Sequence, residues 1–474
     1  MQPSPYQTAI YNWVANQLTD NTDRKHLLIK AVAGAGKTTT LVSICNQIPL
    51  NQKVLVVCFN KHISLDLAKK VPSNCKVQTL NSLGYEIIRD NGLRPKIDSW
   101  KTSNIFKEIN PKLHKQYFGV MNQVISLQKA DYDGSWIYPA VYMPTAEEIA
   151  DKYDISLPKD RLPYAAVFDA SVTDNKIIDF DDQLFYPIFY NMGTPSYDWI
   201  LVDEAQDLSI VQTTLLLKLV KNSKHRATKI VAVGDPSQSI YAFRGAAIGS
   251  MDTLQQQLSA DILPLSVCYR CPKSVVRYAK TIYPILEEYE GQIEGGVSRI
   301  KEQDFNPQIG DTILCRTNAP LMEWCLYLLR QKKLAMIKGD DLRKQLDKVL
   351  KKVSTLAELT AYEKGVNWEK KGRAATILLR DQLAVVRYLI KYSEEEDIPV
   401  AELLASIFAE SKRPHILLSS IHKAKGLEWD CVYIIRPDLL PHPFGDPDQE
   451  KNIAYVAVTR AKKQLVFVDK ETQV

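Results

Sequence analysis

Apolar residues along this chain fall into short unbroken runs, separated by stretches whose apolar positions recur every three to four residues. "HLLIKAV" (26–32) is such a run, "AGAGKT" (33–38) turns, and "TTLVSICNQI" (39–48) continues with helical spacing. A second run, "KVLVVCF", precedes a helical stretch over 61–70. A third, "KVQTL", precedes another over 81–89. Strands alternating with helices in this way predict a parallel sheet covered on both faces.

The rhythm breaks over 90–175, where prolines, tyrosines and charges mix, and a mostly helical insertion is expected. Alternation returns with "WILVDEAQD" (199–207) and "KIVAVGD" (229–235). After Leu265 a second alternating unit begins, with "DTILCRT" (311–317) and a helix through Arg330. The segment 340–412 is again helical and charged. "DDLRKQLDKVLKKV" (340–353) spaces Leu342, Leu346, Val349 and Leu350 along one face, which leaves its lysines as a solvated face rather than a DNA contact. "HILLSSIHKAKG" (415–426) and "QLVFVD" (464–469) return to strand pattern. The expected fold is α/β: two units with parallel sheets, 1–89 with 176–265 and 266–339 with 413–474. Each is interrupted by a mostly helical insertion, 90–175 and 340–412.

Composition changes this picture little. At 474 residues, 45% hydrophobic and 24% charged, the chain has the make-up of a globular protein. A net charge of +5 argues against tail-type electrostatic binding and leaves room for a local basic groove. No run approaches the length of a membrane span, and the first residues carry no basic-then-apolar leader, so a cytoplasmic protein is expected. Eight cysteines in such a chain make no disulfide framework. Cys268 and Cys271 form a lone CxxC without a second pair or a nearby histidine, which argues against zinc.

The chemistry starts at "AVAGAGKT" (31–38), which fits the phosphate-binding pattern G-x-x-x-x-G-K-[ST] with Ala31 in the first glycine position. Ala33, Gly34, Ala35 and Gly36 would curl backbone N–H groups around phosphate oxygens ahead of a helix that runs on through Thr39. Lys37 would reach the β- and γ-phosphates and Thr38 would hold Mg²⁺. "ILVDEAQD" places Asp203 and Glu204 at the end of a buried strand. There Asp203 would hold Mg²⁺ and Glu204 would polarise the attacking water. ATP and Mg²⁺ are the expected cofactors. This much suits any P-loop ATPase.

More specific is the order of the remaining stretches. "PYQTAI" lies ahead of the glycine loop, and "VVCFNKHISLDL" and "VQTLNSLGYEIIR" follow it. "IIDFDDQLF" precedes "LVDEAQDLS". Then come "GDPSQSIYAFRGA", "LSVCYRCP", "ILCRTNAPL", "SSIHKAKGLEWD" and "AYVAVTRAKKQL". In this order they resemble the UvrD/Rep/PcrA-like superfamily 1 DNA helicases across nearly the whole chain. The resemblance implies two RecA-like domains. It implies that Gln7 reads adenine, that Gln238 contacts the γ-phosphate region, and that Arg270 and Arg460 reach that phosphate from the second domain. It also places Tyr269 near the base and Glu428 near the ribose or phosphates.

Along the DNA track the resemblance implies Phe59, Asn60, Lys61, Thr79, Tyr241, Phe243, Arg244 and His422. Tyr241 and Phe243 would stack bases whatever their identity, beside the nucleotide sensor Gln238. Phe243 stands where the family usually carries tryptophan, Asn81 where it commonly has histidine, and no arginine follows the P-loop threonine. The short insertions and the end of the chain soon after Arg460 suggest a pared-down motor without a partner-binding tail.

The expectation is a monomeric ATP-dependent DNA helicase, active in replication or repair. It would move 3′ to 5′ on single-stranded DNA and unwind duplex at single/double-strand junctions, with no membrane partner. The rival readings are a translocase that displaces proteins with little strand separation, and a P-loop ATPase that does not act on DNA.

Overall fold

A computed structural model describes residues 2–19, 25–135, 144–221, 228–241, 249–366, 368, 373–408 and 413–470. The chain divides into two compact units, 1–266 and 267–474.

Unit 1 contains β1 (Leu27–Ala31), β2 (Val54–Cys58), β3 (Cys75–Thr79), β4 (Lys96–Ile97), β5 (Ile177–Ile178), β6 (Trp199–Val202), β7 (Lys229–Gly234) and β8 (Asp261–Leu265). Six of these form one sheet in the order β3-β2-β6-β7-β1-β8, all neighbours parallel. Its central strands β2, β6 and β7 are buried along their whole length, which is why they read as unbroken apolar runs. The register pairs Lys30 with Gly234, Val57 with Val202 and Cys58 with Thr79. The loops after β1, β2, β3, β6 and β7 therefore all leave from the same carboxyl edge, where α/β sheets bind ligands.

Between β4 and β5 the chain is helical: Lys101–Ile109, Pro111–Ala130, Ala146–Lys152 and Tyr164–Thr173. β4 and β5 return as a two-stranded parallel ribbon. The helix Leu80–Asp90 packs so tightly on Asp182–Phe189 that a Cβ on Gly84 would come 1.8 Å from the Gln183 carbonyl oxygen. That approach joins two sequence stretches that lie far apart in the chain.

Unit 2 contains β9 (Val267–Cys268), β10 (Glu287–Glu288), β11 (Gly296–Lys301), β12 (Thr312–Cys315), β13 (Ala335–Ile337), β14 (Ile416–Ser420), β15 (Trp429–Ile435) and β16 (Ala461–Asp469). Its main sheet runs β11-β16-β15-β12-β14-β13, again all parallel. The helices Asp340–Leu350, Leu356–Lys364, Arg373–Glu396 and Val400–Ile407 share one core with it. Leu342, Leu346, Leu359, Leu383 and Leu403 pack with Ile313 and Ile416.

One local expectation is corrected. The strand pattern read over 415–426 stops at Ser420, and Ile421–Ala424 is a helical turn with Ile421 and Ala424 both buried. Their i, i+3 spacing puts both on one side of a helix, a period too short to stand out in the sequence. Among the described residues no helix is long and apolar enough to cross a membrane.

Candidate functional site

β1 ends at Ala31, and the glycine loop turns through positive φ at Gly34 (69°) and Gly36 (80°), a backbone that side-chain-bearing residues rarely adopt. The helix Lys37–Gln47 begins at Gly36 with no side chain capping it. Its first N–H groups are thus presented at the loop, the arrangement that suits a phosphate. Ala33 and Ala35 are buried, and Thr38 and Thr39 face solvent. Gln7 lies beside this turn: its amide donates to Thr40 Oγ1 at 3.2 Å, and Nε2 would sit 3.6 Å from a Cβ placed on Gly36.

Lys37 and the acidic strand end meet. Lys37 Nζ is 2.7 Å from Glu204 Oε2, and Thr38 Oγ1 is 3.4 Å from Asp203 Oδ2. Burial and the Glu204 charge push the Asp203 carboxyl up to about 7. Burial works against the Lys37 charge, but Glu204, Asp235 and Asp203 outweigh it and hold the ammonium above its ordinary pKa. Two acids that cannot both be comfortably ionised, with a lysine between them, fit a cation-and-phosphate site. A divalent ion at Thr38 and Asp203, with phosphate at the loop, would relieve both. Glu204 itself sits at φ 54°, ψ 43°, a left-handed conformation that is strained for a non-glycine residue.

The sequence did not point to the links beyond Glu204. Gln206 Nε2 donates to Glu204 Oε2 at 2.7 Å and to Asp207 Oδ2 at 3.2 Å. Gln206 Oε1 accepts the Asp235 backbone N–H at 2.9 Å, and Asp235 Oδ2 accepts from Gln238 Nε2 at 2.6 Å. All of this is packed at the ends of β6 and β7. A Cβ on Gly234 would lie 2.6 Å from Gln206 Oε1 and 2.7 Å from Met251 Sδ, so only glycine leaves room for the Gln206 amide. Lys37, Glu204, Gln206, Asp235 and Gln238 thus form one hydrogen-bonded chain. Gln206 and Asp235 both stand inside quoted motifs, yet nothing in their spacing marks the bond between them.

Of the candidate DNA residues, Phe59, Asn60, Lys61, Thr79 and Tyr241 lie on the β2, β3 and β7 side of the same edge. The Phe59 and Tyr241 rings stack with centroids 6.0 Å apart and planes 5° from parallel. Asn60 and Thr79 serve as N-caps, accepting from Ile63 N at 2.9 Å and from Ser82 N at 3.2 Å, and Lys61 is exposed at the first helical position. Asn81 Nδ2 donates to the Phe180 carbonyl oxygen at 2.8 Å, so the "DFDDQLF" stretch reaches this edge with the Phe180 ring exposed. Phe180 was missed as a candidate although its motif was quoted. Phe243 and Arg244 lie outside the described residues.

In unit 2, Arg270 is ion-paired with Glu428. Arg460 is fully buried, donating Nε to Val456 O at 2.8 Å, Nη1 to Leu427 O at 3.2 Å and Nη2 to Thr459 Oγ1 at 3.0 Å. Cys271 donates its backbone N–H to Cys268 Sγ at 3.4 Å, and its thiol to Thr459 O at 3.6 Å, which ties the Arg270 turn to the residue before Arg460. Tyr269 packs on Tyr289 at 4.9 Å, and His422 lies half-buried on the short helix Ile421–Ala424.

Residues 14–259 match the UvrD/REP helicase N-terminal domain, and residues 325–472 match the UvrD-like helicase C-terminal domain. The F-box DNA helicase protein 1 of Schizosaccharomyces pombe is 25% identical over 94% of this chain and 56% of its own length. A probable DNA helicase II homolog of Rickettsia conorii is 27% identical over 54% of this chain and 42% of its own. This chain therefore spans about half the length of the relatives it matches. Among solved structures, an arterivirus nonstructural protein 10 helicase with DNA covers 94% of this chain and 61% of its own. The two share 13% identity with a TM-score of 0.37. With matching domains covering both units and the glycine loop, acidic strand end and Gln238 turn assembled on one sheet edge, the chain belongs to the UvrD-like superfamily 1 helicase family.

Proposed function

We propose that this chain is an ATP-driven DNA helicase that tracks 3′ to 5′ along single-stranded DNA and opens duplex at junctions. One observation carries the coupling in this reading. The hydrogen-bonded chain from Lys37 through Glu204, Gln206 and Asp235 ends at Gln238, three residues before Tyr241 and its stacked partner Phe59. A change at the phosphate end therefore has a short mechanical route to an aromatic pair suited to bases.

In this proposal Gln7 reads the adenine, and the backbone of Ala33, Gly34, Ala35, Gly36 and Thr39 holds phosphate oxygens. Thr38 and Asp203 hold Mg²⁺. ATP with its metal supplies the scissile phosphoanhydride and neutralises its charge. Lys37 exchanges its Glu204 partner for a phosphate oxygen, which frees Glu204 Oε2. Glu204 then orients the attacking water and accepts its proton, while Gln206 keeps the carboxylate aimed. Gln238 senses the γ-phosphate position. Arg270 and Arg460 stabilise charge on the transferring phosphate, and Arg270 must leave Glu428 to do so. Tyr269 and Glu428 contribute to the nucleotide, and Phe59, Asn60, Lys61, Thr79, Tyr241, Phe243, Arg244 and His422 to the strand.

The test uses partial duplexes with either a 3′ or a 5′ single-stranded tail, with ATP and Mg²⁺. Strand separation from the 3′ tail alone is expected. Separation from the 5′ tail alone would overturn the polarity. Displacement of a bound protein without strand separation would favour a translocase, a reading supported by the helices Asp340–Leu350, Leu356–Lys364 and Val400–Ile407, which share the core of unit 2. Hydrolysis indifferent to DNA would overturn the proposal.

A further inference from the structure

Of the seven exposed large aromatic side chains among the described residues, five meet another ring, and Trp100 and Phe180 do not. These two are 59% and 56% exposed. They are also neighbours by construction. Asp98 N donates to Ile178 O at 2.8 Å, Thr102 Oγ1 to Asp179 Oδ2 at 3.3 Å, and Lys101 Nζ to Asp182 Oδ2 at 2.8 Å. The residues on either side of Trp100 are thus bonded to the residues on either side of Phe180. Because Lys101, Asp179 and Asp182 turn inward and are buried, Trp100 and Phe180 turn outward.

The Trp100 backbone is fixed as well. Its N–H donates to Asp98 Oδ1 at 2.8 Å, and its carbonyl accepts from Asn104 N at 2.8 Å. With the backbone fixed, only the Trp100 side-chain torsions remain to be ordered when something binds the ring.

Charge and position select the occupant. Lys96 and Lys176 are joined through the backbone across the β4–β5 ribbon, Lys96 N to Lys176 O at 2.8 Å. Both side chains are exposed without a carboxylate partner among the described residues. The Phe180 carbonyl is held by Asn81, next to Thr79 on the edge assigned above to the strand. Aromatic rings beside lysines at the margin of a phosphate-tracking groove match unpaired nucleotides, whose bases stack and whose phosphates attract ammonium groups. We propose that Trp100 forms a stacking platform for unpaired bases beside Phe180, extending the single-strand track onto the segment that opens the first helical insertion. The inference rests on the DNA-helicase reading, and it adds Trp100, which lies outside every motif quoted above.

The test is the affinity of the full chain for an oligothymidylate, read by fluorescence anisotropy, for the wild type and for Trp100→Ala, Trp100→Phe, Lys96→Ala and Phe59→Ala. Trp100→Ala should weaken binding about fivefold or more, the low end of one base–aromatic stack, and Trp100→Phe should retain most of the affinity. Trp100→Ala should leave the slope of log affinity against log salt unchanged, whereas Lys96→Ala should reduce it by about 0.7. Oligonucleotide should also quench indole emission less in Trp100→Phe than in the wild type. Wild-type affinity in Trp100→Ala, with Phe59→Ala weakened, would overturn the platform and leave the helicase reading standing. Absence of single-strand binding by the wild type would overturn both.

Discussion

Unit 1 holds two lysine–carboxylate clusters, and they are built to opposite ends. In the first insertion, Lys101 Nζ is bonded to Asp182 Oδ2, Tyr186 Oη and the carbonyls of Ser171 and Asp174, all within 3.0 Å. Lys129 Nζ meets Asp179 Oδ2 at 2.9 Å and Asp182 Oδ1 at 2.8 Å. Asp179 and Asp182 also accept each other's backbone N–H. Both ammonium groups are buried, and their polar neighbours are protein atoms. Lys37, by contrast, has Glu204 as its near partner and lies beside a glycine turn whose helix start is uncapped. Where buried ammonium groups are held by several protein oxygens, the cluster fixes a shape. Where a lysine is held by a carboxylate at the mouth of an open anion cradle, a phosphate can take the carboxylate's place.

The largest expected effect follows from that contrast. Lys37→Ala should abolish ATP hydrolysis in a steady-state assay while changing the denaturation midpoint little; retained hydrolysis would remove Lys37 from the site. Lys129→Met should do the reverse. Leaving Asp179 buried without its ion-pair partner, and Asp182 with Lys101 alone, should cost about 3–5 kcal/mol in denaturant unfolding, the usual result of breaking a buried pair. Little loss of stability would show that the cluster is solvated.

Gln206→Ala probes the link between the nucleotide and the strand. It removes the Gln206 amide from Glu204, which keeps Lys37, and takes the Gln206 acceptor from the Asp235 N–H, and stimulation of hydrolysis by single-stranded DNA should drop on the order of tenfold. Equal loss with and without DNA would confine Gln206 to catalysis. Phe59→Ala should have the smallest effect, about 1 kcal/mol in single-strand affinity, the low end of one base–aromatic stack, with hydrolysis in the absence of DNA preserved.

The two clusters also differ in how far the sequence reveals them. Lys37, Thr38, Asp203 and Glu204 can be read from the chain because each lies in a local motif that follows a strand, and parallel strands bring their ends to one edge. The insertion cluster draws Lys101 and Lys129 from one stretch and Asp179 and Asp182 from another, and a charged residue in a segment without period looks like surface. Sheet order is equally invisible to periodicity. The Gln206–Asp235 bond exists because β6 lies beside β7, and nothing along the chain announces that adjacency. Phe180 sat within a recognised motif but gained meaning only once Asn81 was found holding its carbonyl. The caps made by Asn60 and Thr79 show the converse, since residues singled out for DNA also have a local structural duty.

The central claim is that a phosphate-driven exchange at Lys37 is coupled to the strand. Its most direct test is the steady-state ATPase rate with and without single-stranded DNA, for the wild type, Glu204→Gln and Gln206→Ala. The account predicts strong stimulation in the wild type, none in Glu204→Gln because hydrolysis itself is lost, and basal hydrolysis with blunted stimulation in Gln206→Ala. A wild-type rate that DNA does not change would contradict it.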